Sequence, residues 1–254
     1  MEHLVTFSSK KTPKIIKLGT KLENFLLKKI GKAIYDYKMI EPGDRVLVAV
    51  SGGKDSVSLL RLLLLKKKQI PFDFDIIPVC VDFGNFGQNL DILEQYFKSL
   101  QLEYYIERTH LPEKKDKKLS YCFWCSWNRR KILFKLAEKY NCRKIAFAHH
   151  LDDIVETFLM NLFYYGEIST MPPKISMFQG KIFIIRPMVY IKEKAILDYA
   201  KEANIPYTTS TCPFFDNSRR KYIEGLISEL EKKCPYVKLN IFRSMKRIQY
   251  EYLV

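Results

Sequence analysis

A short glycine-rich segment carries the residue types that bind phosphate. Residues 51–56 read Ser-Gly-Gly-Lys-Asp-Ser and stand between an apolar run and a leucine-rich run. Glycines let the backbone turn tightly and approach a ligand, and free amides at a helix start attract anions. Ser51 and Ser56 can donate hydrogen bonds to phosphate oxygens, and Lys54 can neutralise one of them. The spacing is not that of a Walker A loop, and a tight turn with an N-capping serine is the alternative. The complete string between a strand and a helix favours a phosphate site.

Two further places combine carboxylates with the ends of predicted strands. His150 and Asp153 belong to residues 149–157, His-His-Leu-Asp-Asp-Ile-Val-Glu-Thr, at a strand–helix junction. Acidic residues are also favoured there for plain helix capping. Asp82 follows the second apolar run and is equally suited to cap the loop after it. Each place predicts either a ligand site or a local cap.

The cysteines include one pair with the spacing of a redox or metal motif. Cys122 and Cys125 form a CxxC at the start of a predicted helix, where thiolates are favoured electrostatically. The pair fits a redox couple, half of a zinc site or half of an iron–sulfur site. No second CxxC or HxxxH occurs, so a closed four-ligand zinc site has little support. Of the other four cysteines, Cys212 and Cys234 each precede a proline, and Cys80 and Cys142 lie in apolar or junction positions that predict structural roles.

Charge indicates the kind of partner. The 254 residues contain 43 Lys and Arg against 28 Asp and Glu, a net charge of +15. Such a surplus suits a polyanion such as nucleic acid, although a basic proteome or an anionic membrane surface would also explain it. Basic runs stand close to two of the cysteines, at residues 129–131 and 219–221. No apolar run approaches the ~18 residues that span a bilayer, and the start lacks the apolar region of a secretory signal. We therefore expect a cytoplasmic protein without disulfides.

The elements that must position these residues alternate between strand and helix. This order predicts a doubly wound, mostly parallel sheet of five strands flanked by helices, with ligands at the carboxyl ends of the strands. We expect a basic arm and helix at residues 1–40, a catalytic domain at 41–210 and a helical region at 211–254. The predicted strands are 45–50, 74–81, 103–108, 144–149 and 182–186; the predicted helices are 20–38, 56–68, 88–100, 126–140, 151–165, 192–203, 217–232 and 236–250.

The combination of motifs resembles the PP-loop ATP pyrophosphatases, and within them the tRNA 2-thiocytidine synthetase branch. The resemblance runs from about residue 20 to 230. It rests on SGGKDS, on the CxxC followed by Asn128-Arg129-Arg130, on HHLDDIVETFLMN, on residues 171–174 (Met-Pro-Pro-Lys) and on residues 185–187 (Ile-Arg-Pro). It implies a Rossmann-like PP-loop fold that binds ATP with Mg²⁺ and transfers AMP to a carbonyl oxygen. A helical tail from about residue 236 departs from the family pattern.

The resemblance also assigns roles to residues. It implies Asp55, Asp153, Cys122 and Cys125 as catalytic, and Cys122, Cys125 and Cys212 as ligands of a [4Fe–4S] cluster, with Cys234 as the competitor of Cys212. The implied reaction adenylates the 2-carbonyl oxygen of a tRNA pyrimidine, which a cluster-bound sulfide then attacks; a persulfide on Cys122 or Cys125 is the alternative. The implied nucleotide-binding residues are Ser51, Gly52, Gly53, Lys54, Asp55, Ser56, Asp82 and His150.

The resemblance also predicts the partners of this protein. We expect tRNA, ATP and a sulfur donor, either sulfide or a cysteine desulfurase, with a homodimer as a further expectation and no membrane. One alternative is a PP-loop ATP-dependent ligase or amidotransferase that acts on a small molecule or forms lysidine, and another is a thiouridine-forming relative. A third is an RNA-binding or redox-sensing protein that keeps an ATP-binding fold. A ligase would have no use for the three cysteines.

Overall fold

A sheet of six strands lies at the centre of the molecule. The computed structural model describes residues 17–84, 90–116, 118, 120–208 and 219–252. The strand order in the sheet is β3-β2-β1-β4-β6-β5. The strands are β1 (Arg45–Ala49), β2 (Asp75–Asp82), β3 (Tyr105–Arg108), β4 (Lys144–Ala146), β5 (Lys174–Met177) and β6 (Ile182–Ile185).

Five strands run parallel and the sixth pairs in the opposite direction. β1 pairs in parallel with β2 and with β4, with Val46 opposite both Ile76 and Lys144. β5 pairs antiparallel with β6. The mostly parallel sheet confirms the predicted fold class, but the predicted count of five strands is wrong. β5 is an edge strand whose two central residues are exposed, so it carries no apolar run to mark it in the sequence.

Helices cover both faces of this sheet. The strand residues alternate between two apolar cores, as the two-residue period of a strand requires: Val46 and Val48 belong to one core and Leu47 to the other. The helices are α1 (Lys21–Asp36), α2 (Lys54–Lys67), α3 (Leu90–Leu100), α4 (Tyr121–Lys139), α5 (Leu151–Tyr165), α6 (Glu193–Glu202), α7 (Arg219–Lys233) and α8 (Val237–Ser244), followed by a 3₁₀ turn at Tyr250–Tyr252. The first core is closed by α1, α2, α3 and α6, and the second by α4.

The C-terminal helices are attached to α5. Leu151, Val155 and Leu159 of α5 pack against Ile223 and Ile227 of α7, with α8 alongside. The first turn of α5 carries the predicted HHLDD segment, so the C-terminal tail is held against the helix that presents it. Among the described residues, no helix combines the length and the apolarity that a membrane crossing requires.

The two cysteines expected to be structural are buried. Cys80 is fully buried in β2 and Cys142 nearly so before β4. Burial raises the pKa of the Cys80 thiol to about 12 and that of Cys142 to about 11. Neither thiol is therefore a thiolate near neutral pH, which fits their predicted packing role.

Candidate active site

The glycine-rich segment forms a tight turn between β1 and α2. Gly52 has φ +84°, a backbone conformation that residues with a Cβ rarely adopt. Inside the turn, the Ser51 amide donates to Ser56 Oγ at 3.1 Å, and the Ser56 hydroxyl donates to the Gly53 carbonyl at 2.9 Å. Gly53 is the N-cap of α2 and offers no capping side chain. The first amides of α2 are therefore available to an anion, because helix starts leave such donors without intrahelical partners.

Lys54 and Asp55 extend from this loop towards α6. The Lys54 ammonium lies 3.0 Å from Asp55 Oδ2 and 2.7 Å from Glu193 Oε1. Burial acts to lower the pKa of Lys54, but the bonds to Glu193 and Asp55 outweigh it and keep the pKa above its usual value. Burial raises the pKa of Asp55, and Asp55 Oδ1 is buried with no hydrogen-bond partner among the described residues.

One group of donor atoms beside the loop has the spacing of a cation site. Ligand atoms of Asp55, His150 and Glu193 lie within 4.8 Å of one another. The two carboxylates are the ligand type that Mg²⁺ takes together with substrate phosphates. The unpartnered Asp55 oxygen fits such a cation. Glu193 is absent from the sequence prediction, because it stands 138 residues after Asp55 at the start of another helix and belongs to none of the motifs.

His150 and Asp153 form a reciprocal cap at the start of α5. The His150 amide donates to Asp153 Oδ2 at 2.9 Å, and the Asp153 amide donates to His150 Nδ1 at 3.4 Å. Burial acts to raise the pKa of Asp153, but the neighbouring His150, its backbone amide and the Arg220 guanidinium outweigh it and hold the pKa below its usual value. The capping interpretation of this segment is therefore confirmed. Asp153 also lines a cavity, and its role as a ligand-site residue stays a prediction.

Arg220 of α7 holds this turn from outside. Its guanidinium lies 3.1 Å from Asp153 Oδ1 and 3.5 Å from Glu156 Oε2, and it donates to Thr157 Oγ1 at 3.4 Å. Burial raises the pKa of Glu156 to about 7, against the opposing charge of Arg220. The sequence shows Arg220 only as part of a basic run, whereas its position marks the point where α7 returns to the site.

Asp152 does not line the cavity that Asp153 lines, and one of its oxygens, Oδ2, lies 3.6 Å from His150 Nδ1. Its Oδ1 lies 2.7 Å from Lys238 Nζ of α8, and its Oδ2 accepts the Glu193 amide at 2.8 Å, which caps α6. The Asp152 side chain is 6% exposed and that of Lys238 is 17% exposed. The two adjacent carboxylates of the HHLDD segment thus have different neighbours: one joins three helices and the other lines the cavity.

A cavity of about 300 Å³ lies at the carboxyl ends of β1, β2 and β4, as the fold class predicts. The glycine-rich turn and the start of α5 line it with Ser51, Asp55, Ser56, His150 and Asp153. α4 lines it with Ser126, Arg129, Arg130 and Leu133. The loop, the HHLDD segment and α4 therefore meet around one space.

The half-buried His149, which lines this cavity, pairs with the buried Arg186. Arg186 Nε donates to His149 Nδ1 at 3.3 Å, and the Arg186 side chain is bound through NH1 to the Pro172 carbonyl. Burial, with Arg186 and Arg130 nearby, lowers the pKa of His149 far below its usual value. His149 is therefore neutral at physiological pH. Since its Nδ1 accepts a hydrogen bond, its proton is carried by Nε2.

The CxxC cysteines lie on the first turn of α4. Cys122 is exposed, and Cys125 is half-buried against the core under α4. Ser120 caps this helix by accepting the Phe123 amide at 3.2 Å, and its first turn contains no acidic residue. Two thiols three residues apart on a helix project in similar directions, and the helix start stabilises their thiolates. This donor pair fits two corners of an iron–sulfur cluster.

The remaining cysteines differ in what the structure says about them. Cys212 lies outside the described residues. Cys234 directly follows α7, about 20 Å along the helix axis from Arg220. This position separates Cys234 from the end of α7 that reaches Asp153.

Asp82 and Lys54, which were predicted to bind the nucleotide, are not among the residues that line the cavity. Asp82 ends β2, and its Oδ1 accepts the Gly84 amide at 2.9 Å, which is the loop cap considered as its alternative role. Its strand neighbours Val79 and Val81 line the cavity. The Lys54 ammonium is directed to Asp55 and Glu193, as described above.

The fold and the loop define an α/β protein with a phosphate-binding turn after its first strand. The model of the PP-loop domain family matches residues 21–229. The tRNA-cytidine(32) 2-sulfurtransferase of Geotalea uraniireducens is 35% identical over 244 residues, 94% of this chain and 95% of that protein. The enzyme of the same name from Polynucleobacter necessarius is 39% identical over 95% of this chain and 82% of that protein. The chain therefore belongs to the PP-loop family and, within it, to the tRNA-cytidine(32) 2-sulfurtransferase branch.

A solved structure shares the fold. The U34-tRNA thiolase NcsA from Methanococcus maripaludis, solved with its [4Fe-4S] cluster, has a TM-score of 0.74 and 24% identity, covering 92% of this chain and 80% of that one. The likeness confirms that the sheet and its flanking helices have the PP-loop arrangement.

Proposed function

We propose that this chain is an ATP-dependent tRNA sulfurtransferase that forms 2-thiocytidine in the anticodon loop, at the cytidine given in its relatives' names. One observation carries the proposal. Helix α4 presents the CxxC on its first turn and lines the cavity one turn later. Cys122 and Ser126, like Cys125 and Arg129, are four residues apart and share a helix face. A sulfur held by the cysteines would therefore stand close to the space that the phosphate loop faces.

The loop end of the cavity supplies what adenylation needs. The open amides of α2, with the Ser51 and Ser56 hydroxyls, would bind the phosphates of ATP. Asp55 and Glu193 would hold Mg²⁺ against the leaving pyrophosphate, and Lys54 would add positive charge there. In this step the base 2-oxygen bonds to the α-phosphorus, and the bond from that phosphorus to pyrophosphate breaks.

The second step exchanges oxygen for sulfur. A hydrosulfide sulfur bonds to carbon 2 of the base, the carbon–oxygen bond breaks, AMP leaves with that oxygen, and the hydrosulfide proton is lost. Asp153 is ionised at the cavity wall and can accept that proton. Cys122, Cys125 and Cys212 would hold the [4Fe–4S] cluster, which supplies the sulfur nucleophile when it is bound. A persulfide on Cys122 or Cys125 is the alternative sulfur carrier.

The described residues on either side of Cys212 support its role as the third ligand. The Thr208 amide donates to the Gly52 carbonyl at 3.0 Å, and Arg220 binds Asp153 at the other end of the intervening segment. Four residues of chain span at most about 14 Å, so Cys212 is tethered to the phosphate loop. This tether favours Cys212 over Cys234 as the third ligand.

Three further features complete the proposal. The sulfur donor is sulfide or a cysteine desulfurase, the reaction takes place in the cytoplasm, and the enzyme acts as a homodimer. The net charge of +15 suits a tRNA partner.

The test is thiolation in vitro. Anaerobically reconstituted protein is incubated with unmodified tRNA, ATP, Mg²⁺ and sulfide, and the digested nucleosides are analysed by mass spectrometry. We expect 2-thiocytidine that depends on ATP, is lost in Cys122→Ser and is retained in Cys234→Ser as the matched control. Formation of 2-thiouridine would replace the proposed base. Pyrophosphate release with an unchanged nucleoside profile would favour the ligase alternative.

A further inference from the structure

A second cationic group lines the cavity besides the phosphate loop. Arg129 and Arg130 of α4 face the same space as Ser51 and Asp153. Within the described residues, neither arginine has a carboxylate within 4.0 Å, although the structure contains ion pairs at many other arginines and lysines. Their charges are therefore not neutralised by the protein.

One hydrogen-bond donor of the Arg129 guanidinium lacks an acceptor among the described residues. Its Nε is buried and has no hydrogen-bond partner among the described residues. Its guanidinium carbon lies 5.5 Å from the centre of the ring of Phe83, the residue that follows β2. A buried donor left without a partner is costly. The arrangement is explained if a ligand oxygen completes it.

Arg130 is exposed, and it connects the cavity to the outer surface of α4. The Arg130 charge also acts on groups at the cavity wall, because it contributes to lowering the pKa of both His149 and Arg186. Phe123 is 51% exposed, and it stands about one turn before Trp127 and two turns before Arg130 along the same helix side. Trp124 and Trp127 stack on each other with ring centres 5.6 Å apart, and Lys131 covers Trp127. Of the three aromatic residues here, Phe123 keeps an open ring face for a base.

We propose that Arg129 and Arg130 form a second phosphate subsite of this cavity, which binds a backbone phosphodiester of the RNA beside the nucleotide to be modified. The inference rests on the proposed function. The arginines stand four and five residues after Cys125, about 6 to 8 Å along the helix. A base that reaches the cysteines therefore brings its own phosphates within reach of them. The phosphate loop already provides donors for ATP, so the α4 arginines are left to bind the other substrate, the RNA.

The experiment compares the full chain with Arg129→Ala, Arg130→Ala, Arg129→Lys and Lys135→Ala. Lys135 is an exposed cation of α4 outside the cavity lining and serves as the matched control. A fluorescent, unmodified anticodon stem-loop is titrated at several salt concentrations, and MgATP binding is measured by calorimetry. Thermal melts establish whether each variant is folded. If Arg129→Ala does not fold, the results for Arg130→Ala and Arg129→Lys test the proposal in its place.

Each alanine variant should weaken RNA binding and reduce the slope of log affinity against log salt by about 0.7. MgATP affinity should stay within about twofold, Arg129→Lys should keep the slope, and Lys135→Ala should leave both unchanged. Lower MgATP affinity with an unchanged RNA slope would assign the arginines to ATP and overturn the inference, as would no change in either. If the unaltered chain fails to bind the stem-loop, the proposed function itself fails.

Discussion

The two adjacent carboxylates of α5 should contribute to different properties: Asp152 to the stability of the fold, and Asp153 to the rate of the reaction. Asp152→Asn keeps an acceptor for the Glu193 amide but removes the charge that faces Lys238 at 2.7 Å. Breaking a buried pair costs about 3–5 kcal/mol, and Lys238 keeps Glu231 at 2.8 Å as a second partner. We therefore expect a loss of about 2–3 kcal/mol, which for a chain of this size lowers Tm by about 4–12 °C. Asp153→Asn removes only a cap and a half-exposed pair with Arg220, and should cost about 1 kcal/mol.

Thermal melts and thiolation rates, measured well below Tm, test this separation. Asp152→Asn should keep kcat within a few-fold, whereas Asp153→Asn should lose about 100-fold or more. Lys238→Met is the matched control, and the double variant Asp152→Asn/Lys238→Met should show a coupling of about 1 kcal/mol or more. An Asp152→Asn protein with an unchanged Tm and a large loss of kcat would refute the distinction between the two residues.

Further predictions concern the loop and the pH response. Gly52→Ala should weaken MgATP binding at least about tenfold in calorimetry, because φ +84° is strained for alanine by about 1–2 kcal/mol and a Cβ would stand 3.4 Å from Thr208 Oγ1; equal affinity would show that the turn does not hold the phosphates. For Glu156, the native pKa of about 7 lies above the unfolded value of 4.5, so stability is lost as pH rises between these values, by at most about 3 kcal/mol. Denaturant melts from pH 5 to pH 8 should show this decline in the unaltered chain and a flatter profile in Glu156→Gln; parallel profiles would contradict it.

Most of the fold and the outline of the site could be predicted from local sequence patterns. Strand β1, the turn after it and α5 were predictable because their apolar runs, glycines and acidic caps act within a few residues of one another. The CxxC was predicted at the start of a helix, and α4 does begin one residue before Cys122. Edge strand β5 was missed because its stability comes from pairing with β6 rather than from its own apolar pattern.

Contacts between segments that are far apart in the sequence could not be predicted from such local patterns. Glu193 comes to Lys54 because α6 packs beside α2 in the finished sheet, and Arg220 comes to Asp153 because α7 packs on α5. The pairing of Arg186 with His149 likewise depends on the neighbouring positions of β4 and β6. Each of these residues was visible in the sequence, but its partner is set by topology.

The central claim is that the cysteines of α4 and Cys212 hold one iron–sulfur cluster beside the phosphate loop. The direct measurement is the iron content and visible charge-transfer absorbance of anaerobically purified protein and its single Cys→Ala variants. We predict an iron content of one [4Fe–4S] cluster per chain, lost in Cys122→Ala, Cys125→Ala and Cys212→Ala and retained in Cys234→Ala. A colourless, iron-free sample, or a cluster that survives Cys212→Ala and is lost in Cys234→Ala, would contradict the account.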